Sequence, residues 1–360
     1  MRVEHVRATD FRCYDRLDCA LGGEVLSIVG RNGAGKTSLL EAVHFGALGW
    51  SPRTSDDARV VRIGAEVTRV ELTGSLRDAP TTWAVGFQPG RPKRASVDGA
   101  PCATIEALAE HAAVLVFTPE RLAVMKGAPA LRRRYLDRAV VRSWPRYASV
   151  AGAYAGALQQ RNQLLRRLRG GAPALDALPP WDAQLAQLGS EIRRARARLV
   201  ATLREPFARH LAEIGDLDEA VELRYEARGP EDEAGQLAEL EAGRAGDIER
   251  GSTSSGPHHD ELAFAQGERD LRAYGSQGEQ RSAVLALLTA EADLIREVRG
   301  MHPLLLLDDV ASELDLSRAR SLLALLRPRG QVLVTATDSH QLGDEPDRVV
   351  LVDDARAHPG

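Results

Sequence analysis

Lysine is almost missing from this chain. Lys36, Lys93 and Lys126 are its only lysines, and the other 44 of the 47 basic residues are arginine. A lysine kept against such a bias marks a place for a compact charge on a flexible stem, which a planar guanidinium cannot replace. Cysteine is equally sparse. Cys13, Cys19 and Cys102 stand far apart without a Cys-x-x-Cys, which excludes a disulfide framework or a cysteine metal cluster and fits a reducing, cytoplasmic location. Apolar runs such as 304–307 fall far short of the ~18 residues that a membrane span needs, and Met1-Arg2-Val3-Glu4-His5 lacks the apolar stretch of a signal peptide. Nor is there a large excess of one charge: 47 basic against 51 acidic residues give −4, so any nucleic-acid binding has to come from a local patch.

What remains is a globular composition, 44% hydrophobic and 27% charged over 360 residues. At roughly 150 residues per domain this length suggests about two domains. The first ~120 residues read as short strands and turns: 25–29, 67–72, 82–87 and 114–117 are strand-like, and Asp98-Gly99 offers a hairpin turn. From about 121 to 209 the chain turns into long arginine-rich helical segments, broken at Gly170-Gly171-Ala172-Pro173 and at Pro179-Pro180, as in an antiparallel helical hairpin. Residues 213–249 carry thirteen acidic side chains against three arginines, and 251–256 form a Gly/Ser/Thr-rich connector. Short apolar runs at 304–307, 332–335 and 349–352, with helices between them, then predict a parallel α/β sheet. The expected division is a head built from 1–120 and 250–360, with a helical insert at 121–249.

Gly30-Arg31-Asn32-Gly33-Ala34-Gly35-Lys36-Thr37 fits the phosphate-loop pattern, directly after a predicted strand and before a predicted helix. Its glycines let backbone N–H groups converge on phosphate oxygens, the helix N-terminus adds partial positive charge, Lys36 reaches the β and γ phosphates, and Thr37 ligates Mg²⁺. ATP with Mg²⁺ is the cofactor this predicts. The second element of such a site is an apolar strand ending in a carboxylate, and Leu304-Leu305-Leu306-Leu307-Asp308-Asp309 supplies it. Asp308 is expected in the metal shell and Asp309 as the group that polarises the attacking water.

Loop and acidic strand lie 272 residues apart, more than a simple kinase or small GTPase needs. Shortly before the acidic strand stands Tyr274-Gly275-Ser276-Gln277-Gly278-Glu279-Gln280-Arg281, ahead of a long amphipathic run. Ser276 with Glu279 is a capping box that any helix can use. The same turn resembles the signature of the ABC-type ATPases, and Ser312-Glu313-Leu314-Asp315 resembles their D-loop. The resemblance implies that Ser276, Gln277 and Gly278 meet the γ-phosphate of a second subunit. Over nearly the whole chain the match is to the RecF family of bacterial recombination mediators. It rests on Phe11-Arg12-Cys13-Tyr14, Pro52-Arg53-Thr54-Ser55, Phe117-Thr118-Pro119-Glu120, Lys126-Gly127-Ala128-Pro129, Arg132-Arg133-Arg134-Tyr135-Leu136-Asp137, Gly256-Pro257-His258 and Thr335-Ala336-Thr337-Asp338. Three positions depart from the family pattern: Arg31, His259 and Glu261.

By this resemblance the fold is an α/β ABC-type P-loop ATPase head with a largely parallel sheet, an antiparallel β subdomain and an inserted α-helical domain. Arg12 then joins residues 30–37 in binding nucleotide, and Lys36, Asp308, Asp309 and Ser276 carry catalysis. The implied function is a slow, DNA-stimulated ATPase of DNA repair, DNA replication and the SOS response: an ATP-dependent homodimer on gapped or damaged DNA that works with RecR and RecO to load RecA. Arg132, Arg133 and Arg134 are candidate contacts to the DNA backbone; ion pairs to the acidic stretch 213–249 explain the same charges equally well. Two rivals remain, the nucleotide-binding subunit of a transporter and a nucleotide kinase. His258, His259 and Asp260 lack further metal-ligand spacing.

Overall fold

A computed structural model describes residues 1–54, 56–118, 123–173, 175–214, 220–310, 316–338 and 346–359. The chain divides into two compact units. The first comprises Met1–Leu122, Arg209–Asp218 and Ser276–Gly360, the second Ala123–Ala208 and Glu219–Gly275.

The first unit is built on two six-stranded sheets. One is antiparallel throughout and runs in the order β2 (Tyr14–Ala20), β1 (Arg2–Phe11), β4 (Thr68–Leu76), β5 (Ala79–Phe87), β6 (Arg94–Val97), β7 (Ala100–Pro101). Asp98 and Gly99 both take positive φ, 52° and 79°, and close the β6–β7 hairpin as their sequence predicts. The other sheet is parallel except at one edge: β15 (Arg356–Pro359), β14 (Arg348–Asp353), β3 (Val25–Val29), β13 (Val332–Ala336), β12 (Leu304–Leu307), β8 (Val114–Phe117).

Helix α1 (Lys36–Leu48) packs against strands of both sheets, and every residue from Leu39 to Leu48 is buried. A helix closed in on all sides has no polar face to show, hence its near-uniform apolar sequence. Parallel register then sets the site. Val334 pairs with Leu307 and Ala336 with Val29, so the chain leaves β3, β12 and β13 at the same edge of the sheet.

The second unit holds α2 (Pro129–Ser143), α3 (Ala148–Arg169), most of α4 (Pro179–Ile214) and α5 (Glu233–Arg250), with a three-stranded antiparallel sheet ordered β11 (Arg269–Asp270), β10 (Glu261–Gln266), β9 (Val221–Glu226). Helix α3 ends at the predicted glycines and α4 begins at the predicted prolines. Two differences stand out: the acidic stretch contains strand β9, and residues 250–275, grouped by sequence with the head, pack in the second unit because β10 pairs with β9. The last turn of α4 belongs to the head, where His210 Nε2 meets Asp293 at 2.6 Å on helix α6 (Gln277–Arg299) and Arg329 donates to the same carboxylate. No helix among the described residues is long and apolar enough to cross a membrane.

Candidate nucleotide site

Residues 30–37 wrap from the end of β3 into α1. Gly35 sits at φ 118°, and a Cβ there would come within 2.8 Å of the Tyr14 hydroxyl; at Gly30 a Cβ would lie 2.2 Å from the Val352 carbonyl. Neither position admits a side chain. Arg31, Asn32 and Gly33 are exposed at the crest of the loop. Lys36 Nζ donates to the carbonyls of Gly30 (2.7 Å) and Arg31 (3.0 Å), which holds it along the loop. Desolvation pushes its pKa down, and Asp309 and Asp308 pull it back up. Helix α1 starts without a side-chain cap and without an acid in its first turn. Its leading amides and dipole are therefore left for an anion, and the residues fit a nucleotide phosphate.

Directly across lies the acidic strand end. Asp308 is buried, and its Oδ1 accepts from Thr37 Oγ1 at 3.0 Å and from Thr335 Oγ1 at 2.9 Å. Burial raises its pKa; the two hydroxyls and the nearby Arg53 charge oppose that rise. A desolvated carboxylate beside a threonine hydroxyl is a hard-oxygen donor set that fits Mg²⁺. Asp309 is exposed, at φ 54°, and its N–H donates to Thr335 Oγ1 at 2.8 Å. Thr335 thus meets both acidic residues, a role sequence reasoning missed although it noted the Thr335-Ala336-Thr337-Asp338 motif.

Arg12, expected on the nucleotide, is bonded in this structure to α1 and to the segment that follows it. Its Nε donates to Glu41 Oε2 at 2.9 Å, its Nη2 to Oε1, and its Nη1 to the Arg59 carbonyl at 2.6 Å. Ser276 caps α6 as predicted: its Oγ accepts from Glu279 N–H at 3.2 Å and its own N–H donates to Glu279 Oε2 at 2.6 Å. The hydroxyl is exposed and keeps its proton to donate. Gln277 is exposed and Gly278 half-buried beside it. Ser55, Pro119, Glu120 and the D-loop-like 312–315 lie outside the described residues.

The arginine stripe requires correction. Arg132 is buried, donating to both oxygens of Glu261 (2.5 and 2.9 Å) and to the Gly127 carbonyl. It faces inward and presents nothing to a phosphate backbone. Arg133 is half-buried against the Asp260 carbonyl at 3.4 Å, and of the three only Arg134 is exposed. On α4, Arg193 and Arg196 are buried on Asp260 and Asp137. These partners lie outside the acidic stretch 213–249. His258 contacts Tyr154 Oη (2.8 Å) through Nδ1 and the Thr253 carbonyl through Nε2; burial lowers its pKa to about 4.

Fold and site together define an ATP-binding head of the ABC type, with phosphate loop, acidic strand and signature-like helix cap carried by one unit. The chain belongs to the RecF/RecN/SMC N terminal domain family, which matches residues 2–357, and within it to the RecF proteins. A "DNA replication and repair protein RecF" of Frankia alni is 39% identical, covering 93% of each chain; one of Heliobacterium modesticaldum is 38% identical, covering 96% of this chain and 95% of the relative. Two solved structures, "Structure of the recombination mediator protein RecF-ATPrS in RecFOR pathway" and "Structure of the recombination mediator protein RecF-ATP in RecFOR pathway", each superpose with TM-score 0.91, at 26% and 27% identity, covering 99% of this chain and 98% and 97% of those chains. An SMC head, at TM-score 0.58 and 15% identity, shares the fold. These relatives support neither the transporter nor the kinase reading.

Proposed function

We propose that this chain is a Mg²⁺-dependent ATPase whose ATP-bound form pairs with a second copy on gapped or damaged DNA and, with RecR and RecO, helps load RecA. The observation that carries this reading is the convergence of residues 30–37, Asp308, Asp309 and Thr335 at one sheet edge, in a chain similar over its whole length to RecF proteins. Thr37 and Asp308 are the residues that would hold Mg²⁺, which would supply charge neutralisation for the phosphates. Lys36 swings from its loop carbonyls to the β and γ phosphates, and the loop amides orient them. Asp309, held by Thr335, accepts a proton from the attacking water. An aspartate is a short lever for that task, so turnover is slow. Hydrolysis releases the dimer, and DNA stimulates it. The exposed Ser276 hydroxyl completes the site of the opposite subunit.

Mixing two inactive variants tests the dimer. Lys36→Met abolishes ATP binding; Ser276→Arg binds ATP as a monomer but neither pairs nor hydrolyses it. In their heterodimer one composite site carries both lesions and the other none, so ATP-dependent pairing and part of the hydrolysis return. A mixture with no pairing and no hydrolysis above the separate variants removes the trans role of Ser276.

A further inference from the structure

Two arginines from different segments meet one buried carboxylate beside the phosphate loop. Glu41 stands on α1 five residues after Lys36 and is 1% exposed. Besides the two bonds from Arg12, its Oε2 accepts from Arg53 Nη1 at 3.2 Å and its Oε1 from Ser51 Oγ at 2.6 Å. The Ser51 hydroxyl in turn accepts from the backbone N–H of Arg53 (3.1 Å) and of Thr54 (3.3 Å). Glu41 therefore fixes Arg53 twice, through its guanidinium and through the turn that carries it.

The two arginines are not equivalent. Arg12 is tied at all three of its nitrogens, two on Glu41 and one on the Arg59 carbonyl. Arg53 meets Glu41 with Nη1, and its side chain is 39% exposed; Glu41 follows Thr37 by four residues on α1, so it shares the helix face whose first turn meets Asp308. Two guanidinium groups against one carboxylate leave one net positive charge, and Arg53 is the more exposed of the two. For stability alone, a buried carboxylate with two arginines is no better than apolar packing. Its value lies in holding a charge in one place.

We propose that Glu41 is a positioning residue for the nucleotide site: it aims the Arg53 guanidinium at the phosphates held by residues 30–37. This rests on the nucleotide reading above. The test is equilibrium titration of a fluorescent ATP analogue with Mg²⁺ into the full chain, for Glu41→Gln, Arg53→Ala and the double variant, with circular dichroism confirming the fold. Each single change weakens binding about tenfold, and adding Glu41→Gln to Arg53→Ala weakens it by no more than about twofold further, the non-additivity of groups acting through one another. Equal factors for Glu41→Gln with Arg53 and with alanine at 53, or no effect at all, overturn the proposal. Should Glu41→Gln not fold, Ser51→Ala decides: it leaves the Arg12–Glu41 pair in place, frees the turn, and weakens binding several-fold only while Arg53 is present. Wild-type affinity in Ser51→Ala refutes the linkage. Lys36→Met separates the two levels, since unchanged binding there means that the nucleotide site itself is misassigned, whereas its loss alongside independent Glu41 and Arg53 effects removes only the positioning role.

Discussion

Asp260→Ala is expected to be among the most damaging single changes in the second unit. Asp260 is fully buried; it accepts from Arg193 Nε and Nη2 at 3.0 Å each, from the Arg228 N–H at 2.8 Å, and from the Tyr225 hydroxyl. Arg193 is fully buried as well, and its other contacts are the carbonyls of Pro230 and Arg228. Truncating the acid leaves a cation inside the unit without its counter-charge, which costs about 3–5 kcal/mol, a large share of the roughly 5–15 kcal/mol that holds a domain together. At about 2–4 °C per kcal/mol for a unit of this size, Tm falls by about 8–16 °C for a 4 kcal/mol loss. The pH dependence has a definite sign. Burial alone would raise the Asp260 pKa, but the bonds from Arg193, Tyr225 and Arg228 hold it below the usual value. The contribution is thus present above the unfolded carboxylate value of about 4 and is lost as pH falls through the lower folded one, so the gap between wild type and variant closes in acid. Urea unfolding followed by helical circular dichroism at pH 7 and at pH 3 measures both effects. Adding Arg193→Leu to Asp260→Ala should recover about 2 kcal/mol relative to the sum of the single losses. A loss under 1 kcal/mol for Asp260→Ala at pH 7, or strict additivity, would refute the argument.

The remaining predictions concern the site and the stripe. Asp308→Asn removes a carboxylate whose pKa burial has raised, so the ligand-free protein becomes more thermostable at pH 7 while Mg-ATP no longer raises its Tm; a destabilised variant that still responds to Mg-ATP contradicts this assignment. Asp309→Asn retains ATP and prolongs the dimer while hydrolysis drops by about 10²-fold or more in single-turnover assays, and a normal rate passes the role to another residue. Arg132→Ala lowers stability by about 3 kcal/mol because it leaves the buried Glu261 with Arg272, at 3.9 Å, in place of its two-pronged partner, whereas Arg134→Ala, at an exposed position, leaves stability within about 0.5 kcal/mol. Denaturant titration of both variants checks the contrast, and equal losses would show that the two side chains share one environment.

The phosphate loop was legible in the sequence because its chemistry is local. Eight consecutive residues carry the glycines, the lysine and the threonine, and flanking strand and helix patterns supply the context. Asp308 was legible for a related reason, as a carboxylate closing an apolar strand. Thr335 was not. What brings it to Asp308 is the pairing of β13 with β12 and β3, and no local spacing encodes a register. The Glu41 cluster lies deeper still, since β1–β2 turn, helix α1 and the loop after it contribute one side chain or more each, and a glutamate in an apolar helix reads as an ordinary surface position until the helix is known to be enclosed on all sides.

Arg132 shows a different kind of limit, one that periodicity could have lifted. The buried positions of α2 are Arg132, Tyr135, Leu136, Ala139, Val140 and Ser143, a stripe at helical spacing in which the arginine holds a core place. On α4, Arg193 and Arg196 likewise fall among buried Ile192, Ala195, Leu199, Val200 and Leu203. Counting arginines finds a basic patch; asking which of them share a face with leucine and alanine finds buried ion pairs. In a chain that uses arginine for nearly every positive charge, side-chain type says little about exposure, and the helical period says much more. The family's Gly-Pro-His turn gains its meaning here, because Pro257, Asp260 and Glu261 supply the acceptors that these inward arginines require. Glu261 serves this purpose from the first residue of β10, its two oxygens accepting from Nε and Nη2 of Arg132. The second unit thus buries charges that the sequence displays openly, and the DNA-backbone contact proposed for this chain falls to exposed arginines such as Arg134 rather than to Arg132.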